Sequence, residues 1–266
     1  MKTWTVANQK GGVAKTTTSV ALGGLFAQRG ERTLLLDIDP HGSLSSYFRC
    51  DPDSQTASTF TLFEKRKLLS NSLVRDLFVK TAFEFLTIIP ASTALATLER
   101  QSIGPDGMGL VLAKSLSLVE HEFDRVIIDC PPQLGVLMVN ALAACDQLIV
   151  PVQTEFLALQ GLDRLLRTLA MLQKSRKKNL NYTVVPTMFD RRTQASVTSL
   201  RRLRNDYQCV WPGKIPIDTK FRDASKAGVP PHLYPGAARG AEAYASLLHY
   251  LIDVESEKSV VGGASG

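Results

Sequence analysis

Cysteine is sparse and scattered: Cys50, Cys130, Cys145 and Cys209 are four thiols in 266 residues, with no C-x-x-C pair. That spacing suggests neither a zinc site nor the disulfide framework of a small secreted domain, and it suits a reducing compartment. Also missing is any uninterrupted apolar run of membrane-spanning length. The chain enters a strand at once, Thr3-Trp4-Thr5-Val6-Ala7, with no basic-apolar leader before it. A cytoplasmic protein, neither exported nor membrane-spanning, is the expectation. No internal repeat is visible, so the chain is read as one unit and not as an array of small ones.

What the chain has in quantity is apolar side chains. Hydrophobic residues make up 44% of the sequence, enough at this length for one large core. Net charge is +6 and the pI about 9.2, which permits contact with nucleic acid or an acidic partner without demanding it. Short runs of Val, Ile and Leu alternate with longer stretches of helical period, the pattern of parallel strands joined by crossover helices. Strands are expected at 3–7, 32–38, 86–89, 125–129, 147–152, 182–187 and 214–217. The fold class is α/β: a single domain with a mostly parallel twisted sheet and helices on both faces. Lys15 to Arg29 reads as a helix with Val20, Leu22, Leu25 and Phe26 on one face and Gly30 as its stop. Residues 51–82 read as loop and small helices outside the sheet, and the last helix as about Ala241 to Asp253. The domain is expected over 1–254, with a disordered tail over 255–266 whose end, Val260 to Gly266, is rich in Gly and Ser.

Between the first strand and the first helix lies Asn8-Gln9-Lys10-Gly11-Gly12-Val13-Ala14-Lys15-Thr16-Thr17-Thr18. A strand that turns sharply into a helix leaves unpaired backbone N–H groups at the positive end of the helix dipole, and glycines let phosphate oxygens approach them. Lys15 supplies charge to the phosphates and the Thr16 hydroxyl is placed to ligate Mg²⁺. The usual pattern G-x-x-x-x-G-K-[ST] is not met, because its glycine positions hold Gln9 and Ala14.

Two further strands end in carboxylates. Leu34-Leu35-Leu36-Asp37-Ile38-Asp39-Pro40-His41-Gly42-Ser43 places Asp37 and Asp39 beyond a strand's carboxyl end, where ligands of open α/β sheets sit, and alternation sends both to one side. Phosphoryl transfer to water needs one group to orient the water and one to help hold Mg²⁺, and these two aspartates are candidates. Arg125-Val126-Ile127-Ile128-Asp129-Cys130-Pro131-Pro132 is a second apolar strand ending in Asp, in the order expected of a Walker B segment. Cys130 reads as a buried thiol and His41 as a turn residue.

The lysine pair Lys10 and Lys15 around a double glycine resembles the deviant phosphate loop K-G-G-x-G-K-T-T of the ParA/MinD superfamily of P-loop ATPases. The likeness extends over roughly residues 3–250, through Val150-Pro151-Val152-Gln153-Thr154-Glu155-Phe156, Val185-Pro186-Thr187-Met188-Phe189-Asp190 and Ile215-Pro216-Ile217-Asp218. It implies ATP and Mg²⁺ as ligands, a phosphate loop formed by Lys10, Gly11, Gly12, Val13, Ala14, Lys15, Thr16 and Thr17, and an ATP-state homodimer in which Lys10 reaches the partner's nucleotide. It assigns Asp39 to water positioning, Asp37 to the magnesium shell, and Asp129 to magnesium through water or Thr16. Met188, Pro216 and Ile217 would wall the adenine. Ala14 departs from the family, which has Gly there.

Within the superfamily, a MinD-like membrane helix is not expected, since the last helix is nearly uncharged and then acidic at Glu255 and Glu257. Partition proteins typically read D-P-Q-G-N at the switch, where this chain has Asp39-Pro40-His41-Gly42-Ser43. That His, with Gln153 to Ala158 and Phe189 to Thr193, resembles the ParC-type ATPases, which implies an adaptor protein of a chemosensory array as partner and recruitment to the cell pole. DNA partition is the alternative. Lys174, Arg176, Lys177, Lys178, Arg191, Arg192, Arg201, Arg202, Arg204, Lys214, Lys220, Arg222 and Lys226 form a basic stripe suited to non-specific DNA or simply to solvent. A third class, an iron–sulfur reductase, would need two cysteines per subunit at a dimer axis, with Cys130 and Cys145 the ones to consider.

Overall fold

The computed structural model describes residues 1–99, 108–174, 180–236 and 238–262. In chain order the regular elements are β1 (Lys2–Val6), α1 (Lys15–Gln28), β2 (Thr33–Asp37), α2 (Ser43–Tyr47), α3 (Thr59–Glu64), α4 (Asn71–Arg75), β3 (Val79–Lys80), β4 (Leu86–Ile89) and α5 (Ala96–Glu99). There follow α6 (Val111–Ser117), β5 (Arg125–Asp129), α7 (Val136–Ala144), β6 (Gln147–Gln153), α8 (Phe156–Lys174), β7 (Asn181–Thr187), α9 (Gln194–Asp206), α10 (Lys220–Ala227) and α11 (Ala238–Gly262). The sheet order is β3-β4-β2-β5-β1-β6-β7. Every pairing is parallel except β3 with β4.

Helices cover both faces because alternate residues of the central strands feed two cores. Leu34, Leu36, Val126, Ile128 and Val150 pack on one side with Leu112, Leu137 and Leu162 from α6, α7 and α8. Leu35, Ile127, Ile149, Trp4 and Val6 pack on the other with α1 and α11, through Leu22, Phe26, Tyr244 and Leu248. The α1 helix is more enclosed than a one-faced amphipathic helix: Thr18 through Ala27 are all buried. Gly23 permits this, because a Cβ there would stand 2.5 Å from Leu35 Cδ2. Gly30, at φ 80°, ends the helix in the left-handed conformation expected of it.

Three expectations are corrected. Residues 214–217 are not a strand; they make an isolated parallel bridge, Phe189 with Pro216, beside the end of β7. Ile215 and Ile217 donate to the Pro186 and Phe189 carbonyls on either side of Pro216, but Met188, at φ 51°, ends β7 before Phe189 and leaves a single paired position. Residues 51–82 do not lie wholly outside the sheet, since β3 pairs antiparallel with Ile88 and Thr87 and covers the β4 edge. Nor does the chain become a tail at 255, because α11 runs unbroken to Gly262.

Arg125 meets this last helix beyond the expected boundary. Its guanidinium, 14% exposed, binds Glu31 Oε2 at 2.8 Å and Glu255 Oε2 at 2.7 Å. It also lies 4.6 Å from the Phe26 ring centre and 5.3 Å from that of Trp4. One cation thus ties the end of α1, the start of β5 and the last turns of α11. Arg125→Ala is expected to lower stability by about 2 kcal/mol, at the low end for a broken ion-pair network because the carboxylates are partly wet. It should also open α11 beyond Asp253 to proteolysis; denaturant melts and limited digestion check both.

Candidate active site

The parallel register sets the geometry. Val6 pairs with Asp129 across β1 and β5, and Asp37 pairs with Asp129 across β2 and β5. The phosphate loop and two carboxylates therefore emerge side by side at one edge of the sheet.

The loop is anchored from both flanks. Asn8 Nδ2 donates to the Pro151 carbonyl at 2.6 Å, Asn8 Oδ1 accepts from Lys10 N at 3.0 Å, and Thr187 Oγ1 donates to the Val13 carbonyl at 3.1 Å. Nothing lies within 4 Å of where a Cβ would stand on Gly11 or Gly12, so the N–H side of the loop is open to a phosphate. Gly12 has φ 73°. Ala14, the residue before α1, has φ 68° and ψ 32°, a left-handed conformation that glycine adopts freely and alanine does not.

The two lysines point to different neighbours. Lys15 is buried and its Nζ donates to the Lys10 carbonyl at 3.2 Å, across the loop it serves. Lys10 turns outward and forms an ion pair with Glu155, with side-chain exposures of 28% and 40%. Glu155 belongs to a segment noted in the sequence, but no signal there marks it as the partner of Lys10.

Asp129 underlies the loop. Its Oδ2 accepts from Thr16 Oγ1 at 2.7 Å and its Oδ1 from Ser19 Oγ at 2.8 Å. Ser19 carries no sequence signal; it is reached because it lies one helical turn beyond Lys15. Asp37 is equally buried, accepting from Asp39 N at 3.1 Å, Ser45 N at 2.8 Å and Ser45 Oγ at 2.7 Å. In both, the carboxyl is pushed above the usual carboxylate range. For Asp37, burial is the larger cause and the charge of Asp129 the next, with Ser45 and the Asp39 N–H opposing. For Asp129, burial again leads, Asp39 adds to it, and Thr16, Ser19 and Lys15 pull back. Asp39 accepts on Oδ1 from His41 N at 3.0 Å, and His41 Nδ1 lies 2.9 Å from the same oxygen. Nearby Glu99, unnoticed in the sequence, is also shifted upward, first by burial and then by Asp39, against a bond from the Leu137 N–H.

Among the described residues no group of three or more His, Cys, Asp or Glu forms a metal cage. The donor set instead fits Mg²⁺ arriving with phosphate: a hydroxyl on Thr16, buried carboxylates behind it, and oxygens from the ligand and water. Thr17, half-buried, completes the first turn. The proposed adenine residues fall into two groups. Pro216 and Ile217 line a cavity of about 1190 Å³ with Phe189, Trp211 and Lys214, whereas Met188, at φ 51°, is not in its wall, and no loop residue reaches it. Of the basic stripe, Arg192 pairs with Asp190, Arg202 with Asp206 and Lys220 with Asp223, while Arg176, Lys177 and Lys178 lie outside the described residues. Cys130 and Cys145, at 0% and 5% exposure, are core thiols, and burial pushes the Cys130 thiol up. A cluster shared across a dimer axis needs surface thiols, which sets the reductase reading aside.

A family model described as an AAA domain matches residues 1–182. Sporulation initiation inhibitor protein Soj of Bacillus subtilis is 36% identical over 244 residues, covering 91% of this chain and 94% of that protein. The chain belongs to the ParA/MinD superfamily of P-loop ATPases. Chromosome partitioning protein ParA of Caulobacter vibrioides is 36% identical over 257 residues, covering 95% of this chain and 94% of its own length. Among solved structures, cobyrinic acid a,c-diamide synthase of Mycobacterium smegmatis with bound ADP and magnesium superposes at TM-score 0.79 with 34% identity, over 95% of this chain and 94% of that one.

Ala14 stands where the resemblance implied glycine, and its cost lies in the backbone. Holding alanine at φ 68° costs on the order of 1 kcal/mol relative to glycine. Ala14→Gly is therefore expected to raise the melting temperature and to speed ATP turnover, read side by side on the two proteins. Equal stability and equal turnover would show that the loop accommodates the methyl group without strain.

Proposed function

We propose that the protein is an ATP-hydrolysing switch whose ATP-bound form is a homodimer, and that this cycle positions an intracellular cargo. The observation that carries the reading is the divergence of the two lysines: Lys15 is enclosed in its own loop, and Lys10 faces outward beside Glu155. An outward lysine at the mouth of a phosphate loop is suited to a nucleotide held by a second copy. Exposed Leu134, Phe156 and Leu157, at 43%, 59% and 63%, supply apolar surface for such contact.

In this reading the loop N–H groups and Lys15 bind the β- and γ-phosphates, and Thr16, held by Asp129, presents its hydroxyl to the cation. Bound Mg²⁺ supplies charge neutralisation of the phosphate oxygens. Asp37 contributes to the water shell of the cation and also holds the start of α2 through Ser45. Asp39 orients the water that attacks, giving ADP and phosphate. Met188, Pro216 and Ile217 wall the adenine in this reading, on the strength of the family likeness.

The proposed cargo is a polar chemosensory array, reached through an adaptor protein from a cytoplasmic pool; this rests on the likeness at His41, Gln153–Ala158 and Phe189–Thr193. The chromosome partitioning protein of Caulobacter vibrioides, by its name, favours a second reading, with DNA as the surface. The cavity rim at Arg191, Arg192, Lys214 and Arg239 is the basic surface available to it.

Lys15→Ala should weaken ATP binding by about tenfold to a hundredfold, the worth of a hydrogen bond to a charged group. Lys10→Ala should leave monomer binding intact and abolish ATP-dependent dimerisation in sedimentation; a Lys10→Ala protein that dimerises normally contradicts the reading. If DNA is the surface, the ATP-bound dimer should bind duplex of arbitrary sequence with affinity falling steeply as salt rises. Absence of binding at low salt by an active dimer assigns the stripe to solvent.

A further inference from the structure

His41 sits in the turn after β2 with its side chain 73% exposed, and among the described residues the one hydrogen-bond partner of that side chain is Asp39. The Asp39 side chain is the opposite, only 12% exposed. Two donors from His41 converge on a single carboxylate oxygen: the backbone N at 3.0 Å and Nδ1 at 2.9 Å, both to Oδ1. Among the described residues no hydrogen bond reaches Oδ2 of Asp39.

A carboxylate held by one backbone N–H still rotates about its Cβ–Cγ bond. A second donor on the same oxygen, arriving from the side chain, fixes the plane of the group and leaves the other oxygen as the free acceptor. We propose that His41 is a positioning residue for hydrolysis: its Nδ1–H holds Oδ1 of Asp39 and so aims Oδ2 at the attacking water. The inference rests on the reading of Asp39 as the group that orients that water. It needs the Nδ1–H tautomer, because a carboxylate oxygen can only accept. The ring is largely exposed, and Asp39 is its hydrogen-bond partner among the described residues.

The variants separate this role from a structural one. Asn places its amide nitrogen as many bonds from Cα as His places Nδ1, so His41→Asn keeps the donor, whereas His41→Phe keeps the ring and loses it. His41→Phe and His41→Ala are expected to slow single-turnover ATP hydrolysis about five- to tenfold, the worth of one hydrogen bond. ATP affinity and dimerisation should stay unchanged, and His41→Asn should recover most of the rate. Asp39→Ala, measured alongside, should slow the step by about 100-fold. A His41→Phe protein at the parent rate, or a His41→Asn protein as slow as His41→Phe, overturns the proposal while leaving Asp39 in place. An unchanged rate in Asp39→Ala removes Asp39 from the reaction and the proposal with it. A readout independent of turnover is the nitrogen NMR spectrum of the His41 ring. It should report Nδ1–H in the unmodified protein and a shift toward Nε2–H in Asp39→Ala; Nε2–H in both overturns the proposal.

Discussion

Asp129 is the constraint on which the rest of the site depends. It is a fully buried carboxylate at the end of the central strand β5, and each of its oxygens receives a hydroxyl from the first turns of α1. Those two bonds set the rotation of α1 about its axis, and the helix carries Lys15 and the end of the phosphate loop with it. The parallel register then brings Asp37 directly beside Asp129. A one-residue slip of β5 would turn its carboxylate to the opposite face and leave Thr16 and Ser19 without an acceptor.

The arrangement is electrostatically unfavourable without a ligand. Asp37 and Asp129 are both buried and both shifted toward the protonated form, with Asp39 adding its charge to the second. Lys15 is the cation that acts against this, and it is buried with them. Hydroxyl and backbone donors keep the carboxylates in place but do not neutralise them. A divalent cation bound near Thr16 would relieve the repulsion, so the same charges that oppose one another favour cation binding.

A second tension lies in the backbone. Gly12 and Ala14 both have positive φ, so the loop makes two left-handed turns before α1 starts, and only the first is made by glycine. The loop keeps that shape because Asn8, Val13 and Lys10 are tied to β6, β7 and Asn8 itself. Strain held by its surroundings in this way is common at phosphate sites, where the N–H groups have to converge on one point.

The sequence by itself determined the strands at 86–89 and 125–129, the helix that starts at Lys15, the positions of the loop and of three aspartates, and the family, because each depends on local pattern: apolar runs, glycine punctuation and residue order. It placed an extra strand at 214–217 because the apolar run there looks like one, and only the fold shows that β7 breaks at Met188 and leaves one bridge, Phe189 with Pro216. It expected a tail from Glu255 because the end of the chain is rich in Gly and Ser, whereas α11 runs to Gly262 and Arg125, 130 positions away, pairs with Glu255 within it. Tertiary structure alone decided that Glu155 meets Lys10, that Ser19 and Thr16 share Asp129, and that His41 holds Asp39 by one oxygen. The first two contacts join segments distant in sequence and are set by strand register, and the third depends on the dihedral angles of the turn after β2; short-range sequence pattern carries neither.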